Sequence, residues 1–281
     1  MKMNLLKNLL FAVVLLFGGV ITAKEKKEEY GMAVFPAEGK VNLEEGTIEA
    51  WVSLDYSFDK NHLTEKSLVT PMTFFMFEKL QTKANQKQKS NIRDIWIEII
   101  SEQGKSMDNN IRYISSLGQK KVGQKILSGW INSNMEDISW KKGEWHYLAA
   151  TWKKNGDKYD FSLYIDDKKE SITVPANTFK LKSFKEYIVY IGHFKSAQGA
   201  IETLRVSDKV RTEDEISNSF KKGIVEDKST LLFFNYKTIK KMKKQKSIKF
   251  LTQVRMNKKG TFVGSSKIIK GKYGKAVQFH K

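Results

Sequence analysis

The chain of 281 residues contains no cysteine. That absence excludes disulfide staples, thiolate catalysis and a lipid-attachment cysteine. Histidine is scarce as well: His62, His146, His193 and His280 are scattered without the spacing of a zinc site. Beyond the first 23 residues, no stretch approaches the length of a transmembrane helix. Acidic residues vanish from one region altogether. From Ser229 to Lys281 there are 15 Lys or Arg and no Asp or Glu. Between residue 24 and that segment the chain holds 33 basic and 31 acidic residues, so the net charge of +19 belongs chiefly to the C-terminal segment.

What is present at the N-terminus has the pattern of an export signal. Lys2 and Lys7 precede the uncharged apolar run Leu9 to Phe17, and Ile21-Thr22-Ala23 offers a small-residue cleavage site before Lys24. Residues 1–23 are therefore expected to be a signal peptide and 24–29 a charged leader. The expected location is secreted, periplasmic or cell-surface, with no transmembrane span after cleavage. An exported chain without disulfides must be held by its core, and the remainder is long enough for one large sandwich.

The strand signals lie in short runs. Gly143 to Trp152 is rich in aromatic and β-compatible residues, and Leu163-Tyr164-Ile165 stops at Asp166-Asp167. Between them, Asn155-Gly156 is a hairpin signal. In Thr47 to Val52, Ile48, Ala50 and Val52 share one face while Thr47, Glu49 and Trp51 share the other. Ile95 to Ile100 splits likewise, into Ile95, Ile97 and Ile99 against Trp96 and Glu98. Turn signals recur about every ten residues, which predicts an all-β sandwich of two antiparallel sheets. Only 212–222 reads as helix, with Thr212 as N-cap, acids in the first turn and lysines in the last.

Four phrases in order carry a family resemblance: Glu45 to Val52, Gly143 to Asp167, Tyr190-Ile191-Gly192, and Gly199 to Ser207 with Val210 to Ile216 after it. They resemble the laminin-G-like, concanavalin A-like lectin and glucanase jelly rolls, over roughly residues 30 to 220. The family usually has Asp-Glu where this chain has Glu202-Thr203, so no role of those acids carries over. The chain then divides into a jelly roll at 30–228 and a basic segment at 229–281. Tyr273-Gly274-Lys275-Ala276-Val277 echoes Tyr30-Gly31-Met32-Ala33-Val34. The segment either opens a second, incomplete jelly roll or adds strands to the first, covering an exposed edge.

The resemblance raises the question of catalysis, since the same sandwich hosts glycoside hydrolases with closely paired acids. The nearest phrase here, Glu98-Ile99-Ile100-Ser101-Glu102, lacks the middle acid. Carboxylates four apart on a strand reach about 13 Å, beyond the retaining separation of about 5 Å. A non-catalytic binding or adhesion module is expected, recognising a glycan or a cell-surface or matrix protein. The alternatives are a carbohydrate-active enzyme on the same fold and a purely structural surface module. Glu49, Trp51, Trp96 and Glu98 are the candidate sugar platform, rings meeting C–H bonds and acids accepting hydroxyl hydrogens. Calcium is the small ligand the resemblance implies, with Asp55, Asp59 and Asn61 the best oxygen cluster. Lys240, Lys241, Lys243, Lys244 and Lys246 form a run suited to a polyanion.

Overall fold

The alternating runs around Ile48 and Ile97 become two long strands, one in each of two packed sheets. The computed structural model describes residues 31–57, 72–79, 93–100, 110–122, 125–133, 138–177, 183–192, 199–246 and 256–280. In spatial order the first sheet is β13 (Lys243–Gln245), β14 (Thr261–Val263), β1 (Met32–Pro36), β10 (Tyr187–Ile191), β3 (Met72–Lys79), β4 (Arg93–Ile100), β5 (Asn110–Val122) and β6 (Lys125–Asn132). The second is β15 (Ser265–Lys270), β16 (Lys275–His280), β11 (Gly199–Ser207), β2 (Glu45–Leu54), β7 (Trp145–Asn155), β8 (Lys158–Ile165) and β9 (Lys168–Pro175). A further strand, β12 (Thr230–Asn235), pairs with Thr203–Ser207 of β11. The described pairings between strands are antiparallel except β13 with β14. This is a jelly-roll sandwich.

Period-two alternation decides what fills it. Ile48, Ala50 and Val52 of β2 and Leu148, Ala150 and Trp152 of β7 point into the space between the sheets, with Ile95 and Ile97 of β4 facing them from the other side. The β7–β8 hairpin turns at Asn155-Gly156, where Gly156 takes φ 62°, the left-handed conformation this turn needs. Trp152 is fully buried and donates its indole N–H to the Asn42 carbonyl at 2.8 Å. A Cβ at position 46 would lie 2.2 Å from that ring, so only glycine lets β2 pass. Phe74, Phe77, Phe161, Phe234, Phe262 and Phe279 are buried in the same core. Burying each such ring contributes about 1.5–3 kcal/mol, which is how a chain without disulfides is held.

The acid-free segment is woven through both sheets. Phe234, Phe262, Val277 and Phe279 all enter the main core. The chain passes from β14 in one sheet to β15 in the other through Gly264, at φ 81°. The phrase beginning at Tyr273 is a turn leading into β16, which pairs with Ala200 and Ile201 of β11. Strands from both sides of residue 229 therefore share each sheet. Among the described residues no helix is long and apolar enough to cross a membrane.

Ending the chain at Lys228 removes β12 to β16 and opens the core along one side. Calorimetry of that truncated chain should show no cooperative unfolding transition. A sharp transition near the full-length temperature would show that the segment is dispensable to the sandwich.

Candidate ligand-binding site

A helix covers the outer face of the second sheet. It runs Glu213–Lys222 (α1) and starts as the sequence predicts, in a capping box: Thr212 Oγ1 accepts from the Glu215 amide and Glu215 Oε2 accepts from the Thr212 amide. Ile216 packs with Trp51, Tyr147, Ala149 and Tyr164, and Phe220 stacks on Trp51 with ring centroids 5.7 Å apart. Beneath lies the Glu49 carboxylate, 0% exposed. Tyr147 Oη donates to its Oε1 at 2.6 Å, Arg205 Nε donates to its Oε2 at 2.9 Å, and Arg211 Nε lies 3.1 Å from Oε2. Arg211 reaches on to Asp227 at 2.6 Å, and Arg205 donates to the Val225 carbonyl. Burial and the neighbouring Glu49 charge push the Tyr147 phenol well above its ordinary pKa, so it stays a donor. Burial disfavours the Asp227 carboxylate, but Arg211 and Ser229 outweigh it and hold that carboxyl well below the usual range.

The expected sugar platform is thereby corrected. Glu49 and Trp51 do face outward from the core, but α1 lies over them, and Trp51 is 2% exposed. Trp96 and Glu98 belong to β4 of the other sheet, where the register sets position 96 opposite Met76 and Ile114. The two pairs sit on opposite sheets and cannot line one groove. The side chains of Trp96 and Glu98 lie outside the described residues.

A cleft opens instead where α1 ends at Gly223. It has a volume of about 240 Å3, with Trp51 and Glu202 in its floor, Tyr236 and Tyr273 in its walls, and Lys222 and Lys275 at its rim. The wall at Tyr236 begins a short helix, Tyr236–Lys241 (α2), capped by Asn235 Oδ1, which accepts from the amides of Lys237 and Thr238. The opposite wall is the β15–β16 turn. The buried Glu202 carboxylate accepts from the Lys272 amide at 2.9 Å and the Tyr273 amide at 2.8 Å, pinning that turn to the sheet. A Cβ at Gly271 would lie 2.7 Å from the same carboxyl, so a side chain there would displace Glu202 from the amides it holds. Tyr273 Oη donates to the Phe220 carbonyl at 2.7 Å, and its ring meets Trp51 edge-on at 5.4 Å. Tyr273 as a whole nonetheless remains 45% exposed.

Cations surround these rings. Lys275 and Lys240 lie 5.6 and 5.8 Å from the Tyr236 ring centre, and Lys272 lies 5.7 Å from that of Trp51. Among the described residues, Lys222, Lys240, Lys272 and Lys275 have no carboxylate within 4.0 Å, unlike Lys169 or Lys209, which are paired. The rest of the basic run is also placed outward: Lys241 on α2, Lys243 and Lys244 on β13, and Lys246 after it are exposed.

A second cavity, of about 180 Å3, lies beside Trp140, His146 and Asp166. Asp166 sits at φ 55° in the β8–β9 turn. Its Oδ2 lies 2.8 Å from His146 Nδ1, and its Oδ1 accepts from the Tyr147 amide at 2.8 Å. The imidazole stacks on Trp140 with centroids 4.0 Å apart. An Asp–His pair is part of a hydrolytic triad, and Ser133 and Ser139 line the same cavity. Ser133 Oγ accepts from the Ile111 amide, and among the described residues His146 Nε2 has no hydrogen-bond partner. The pair orders the β8–β9 turn, Asp166 holding both the imidazole and the Tyr147 amide. Of the expected calcium ligands, Asp55 accepts from the Gln278 amide group at 2.9 Å, while Asp59 and Asn61 lie outside the described residues. Among the described residues no three His, Cys, Asp or Glu side chains cluster to hold a metal.

Residues 82–217 match the family described as the concanavalin A-like lectin/glucanases superfamily. No curated protein matches. Among solved structures, the binding domain of botulinum neurotoxin DC in complex with SialylT is 13% identical, with a TM-score of 0.39, over 65% of this chain and 36% of that one. A protein of Bacteroides ovatus ATCC 8483 described as carbohydrate-binding is 13% identical, with a TM-score of 0.44, over 90% of this chain and 58% of that one. The CBM40 of Ruminococcus gnavus IT-sialidase is 16% identical, with a TM-score of 0.41, over 69% of this chain and 97% of that one. The chain thus spans 36% and 58% of the length of the first two.

The ion network under α1 makes stability depend on pH in a defined direction. A carboxyl held below its unfolded value contributes stability above that value, about 3.9 for Asp, and loses it as pH falls further. The difference in Tm between the native chain and Asp227→Asn should be widest above about pH 5 and shrink below about pH 4. A difference constant over that range would mean that Asp227 is not engaged with Arg211.

Proposed function

We propose that this chain, whose residues 82–217 match the concanavalin A-like lectin/glucanases superfamily, is an exported, non-catalytic glycan-binding module of the cell surface or matrix. The observation that carries this reading is the half-exposed Tyr273 ring, held over the Trp51 floor of an open cleft. A rigid ring beside polar groups suits a pyranose, whose C–H face meets the ring while its hydroxyls find partners at the edge. Both buried carboxylates among the described residues are engaged: Glu49 by Tyr147 and two arginines, Glu202 by two backbone amides. Such acids order structure rather than transfer protons. The pattern of Lys2, Lys7 and the apolar run before Ala23 supports export.

A glycan array on the chain from Lys24, followed by titration with the best binder, tests this reading. Tyr273→Ala should weaken binding about tenfold, equivalent to about 1.4 kcal/mol. Tyr273→Phe keeps the ring and should bind nearly as well. Binding unchanged in Tyr273→Ala, with Tm preserved, would remove the cleft from consideration. Turnover of a soluble glycan, abolished by Glu98→Gln or His146→Ala, would overturn the non-catalytic assignment.

A further inference from the structure

We infer that the ligand of this cleft is an acidic polysaccharide, one charged sugar of which enters the cleft while the polymer continues along a wall built by the acid-free C-terminal segment. The inference rests on the glycan-binding reading above and adds the ligand's charge and its path.

The first ground is the state of the lysines. Lys222, Lys240, Lys272 and Lys275 surround the cleft, are exposed, and have no carboxylate partner among the described residues. Glu202, the acid in the floor, is 5% exposed, and its carboxylate is turned to the amides of Lys272 and Tyr273. The open side of the cleft is therefore cationic. An anionic group on the ligand would meet ammonium groups there without displacing any pair.

The second ground is topology. The strands β13 and β14 end one sheet, and β15 and β16 end the other, with the chain crossing between them at Gly264. All four come from the segment without Asp or Glu, so at this end of each sheet the edge strands β13 and β15 carry lysines and no acid. Lys243, Lys244, Lys267 and Lys270 on the outermost strands are exposed. The turn that closes β15 onto β16 is the one that carries Lys272 and Tyr273 into the cleft, so wall and cleft are continuous along the chain. A row of like charges repels itself until anions neutralise it, and a polymer does so at many points with counterion release.

The residue types choose between polyanions. Described cations of the wall and cleft are lysines, point charges that suit spaced carboxylates or sulfates rather than bidentate readout of one group. Tyr273 is the only aromatic among the exposed large hydrophobic side chains described. Single-stranded nucleic acid calls for successive rings, one per base. One exposed ring in the cleft matches one sugar.

Binding of the chain from Lys24 to polygalacturonate, its trisaccharide, heparin, neutral dextran and a single-stranded DNA would test the proposal over about 50 to 200 mM salt. Polygalacturonate and heparin should bind with affinity falling steeply with salt, and dextran should not bind measurably. K272Q/K275Q should weaken both polymer and trisaccharide about tenfold or more, and K272R/K275R should restore most of it. K243Q/K244Q/K267Q/K270Q should lower the salt slope for the polymer, by on the order of one to three units, and leave the trisaccharide unchanged. Each variant is compared at matched Tm; all four wall positions are exposed, and Lys→Met serves where Lys→Gln alters folding. If dextran binds as tightly as the acidic polymers and salt has no effect, the charge inference fails while glycan binding stands. If no glycan binds at all, the glycan reading itself fails. DNA binding tighter than either acidic polymer, with the same lysine dependence, would assign the wall to nucleic acid instead.

Discussion

A single carboxylate under the helix, that of Glu49, organises the outer half of the second sheet. Buried without solvent, it would be costly unless every lone pair found a donor, and a phenol and two guanidinium groups supply them. Its partners lie far along the chain: Arg205 is 156 residues away. Arg205 in turn holds the Val225 carbonyl, and Arg211 holds Asp227 and, through its amide, Thr47. The charge in β2 therefore orders everything from β11 to the start of β12. Removing one partner of such a buried pair costs on the order of 3–5 kcal/mol, because the other is left unpaired. The loss would fall on the helix before it reached the inter-sheet core.

That dependence extends to the cleft. Phe220, near the end of α1, stacks on Trp51 and accepts from Tyr273 through its carbonyl. The ring offered to a sugar is thus positioned by a helix that the ion network fastens to the sheet. Glu202 does the same work from below, accepting two amides of the turn. Two buried acids, Glu49 on β2 and Glu202 on β11, set the height and tilt of one exposed ring.

Much of the scaffold was legible in the sequence because its causes are local. Alternation at Ile48 and Ile97, the Asn155-Gly156 turn and the Thr212 N-cap each depend on a few neighbours, and each is found in place. The site was not legible in the same way. Alternation says which face of a strand Trp51 and Trp96 occupy, not which sheet each strand joins, and the two fell on different sheets. Nor does it say that a helix will cover Trp51. Tyr273 reaches Trp51 only through the β11–β16 pairing. One sign of that turn did exist: Gly271 and Gly274 bracket it. The short helix α2 went unread because its six residues hold too few turns for a periodic pattern.

The position of β1 has a consequence for how the molecule comes into being. It lies between β10 and β14, so the first strand of the sandwich gains its two neighbours from residues 187–191 and 261–263. Its counterpart β2 waits likewise for β11. The first sheet cannot close around β1 until residues 261–263 are made, and the second cannot close around β2 until 199–207 are; contacts of such long sequence separation form slowly. Until β14 is made, β1 therefore presents an unpaired edge, one that the last part of the chain has to cover.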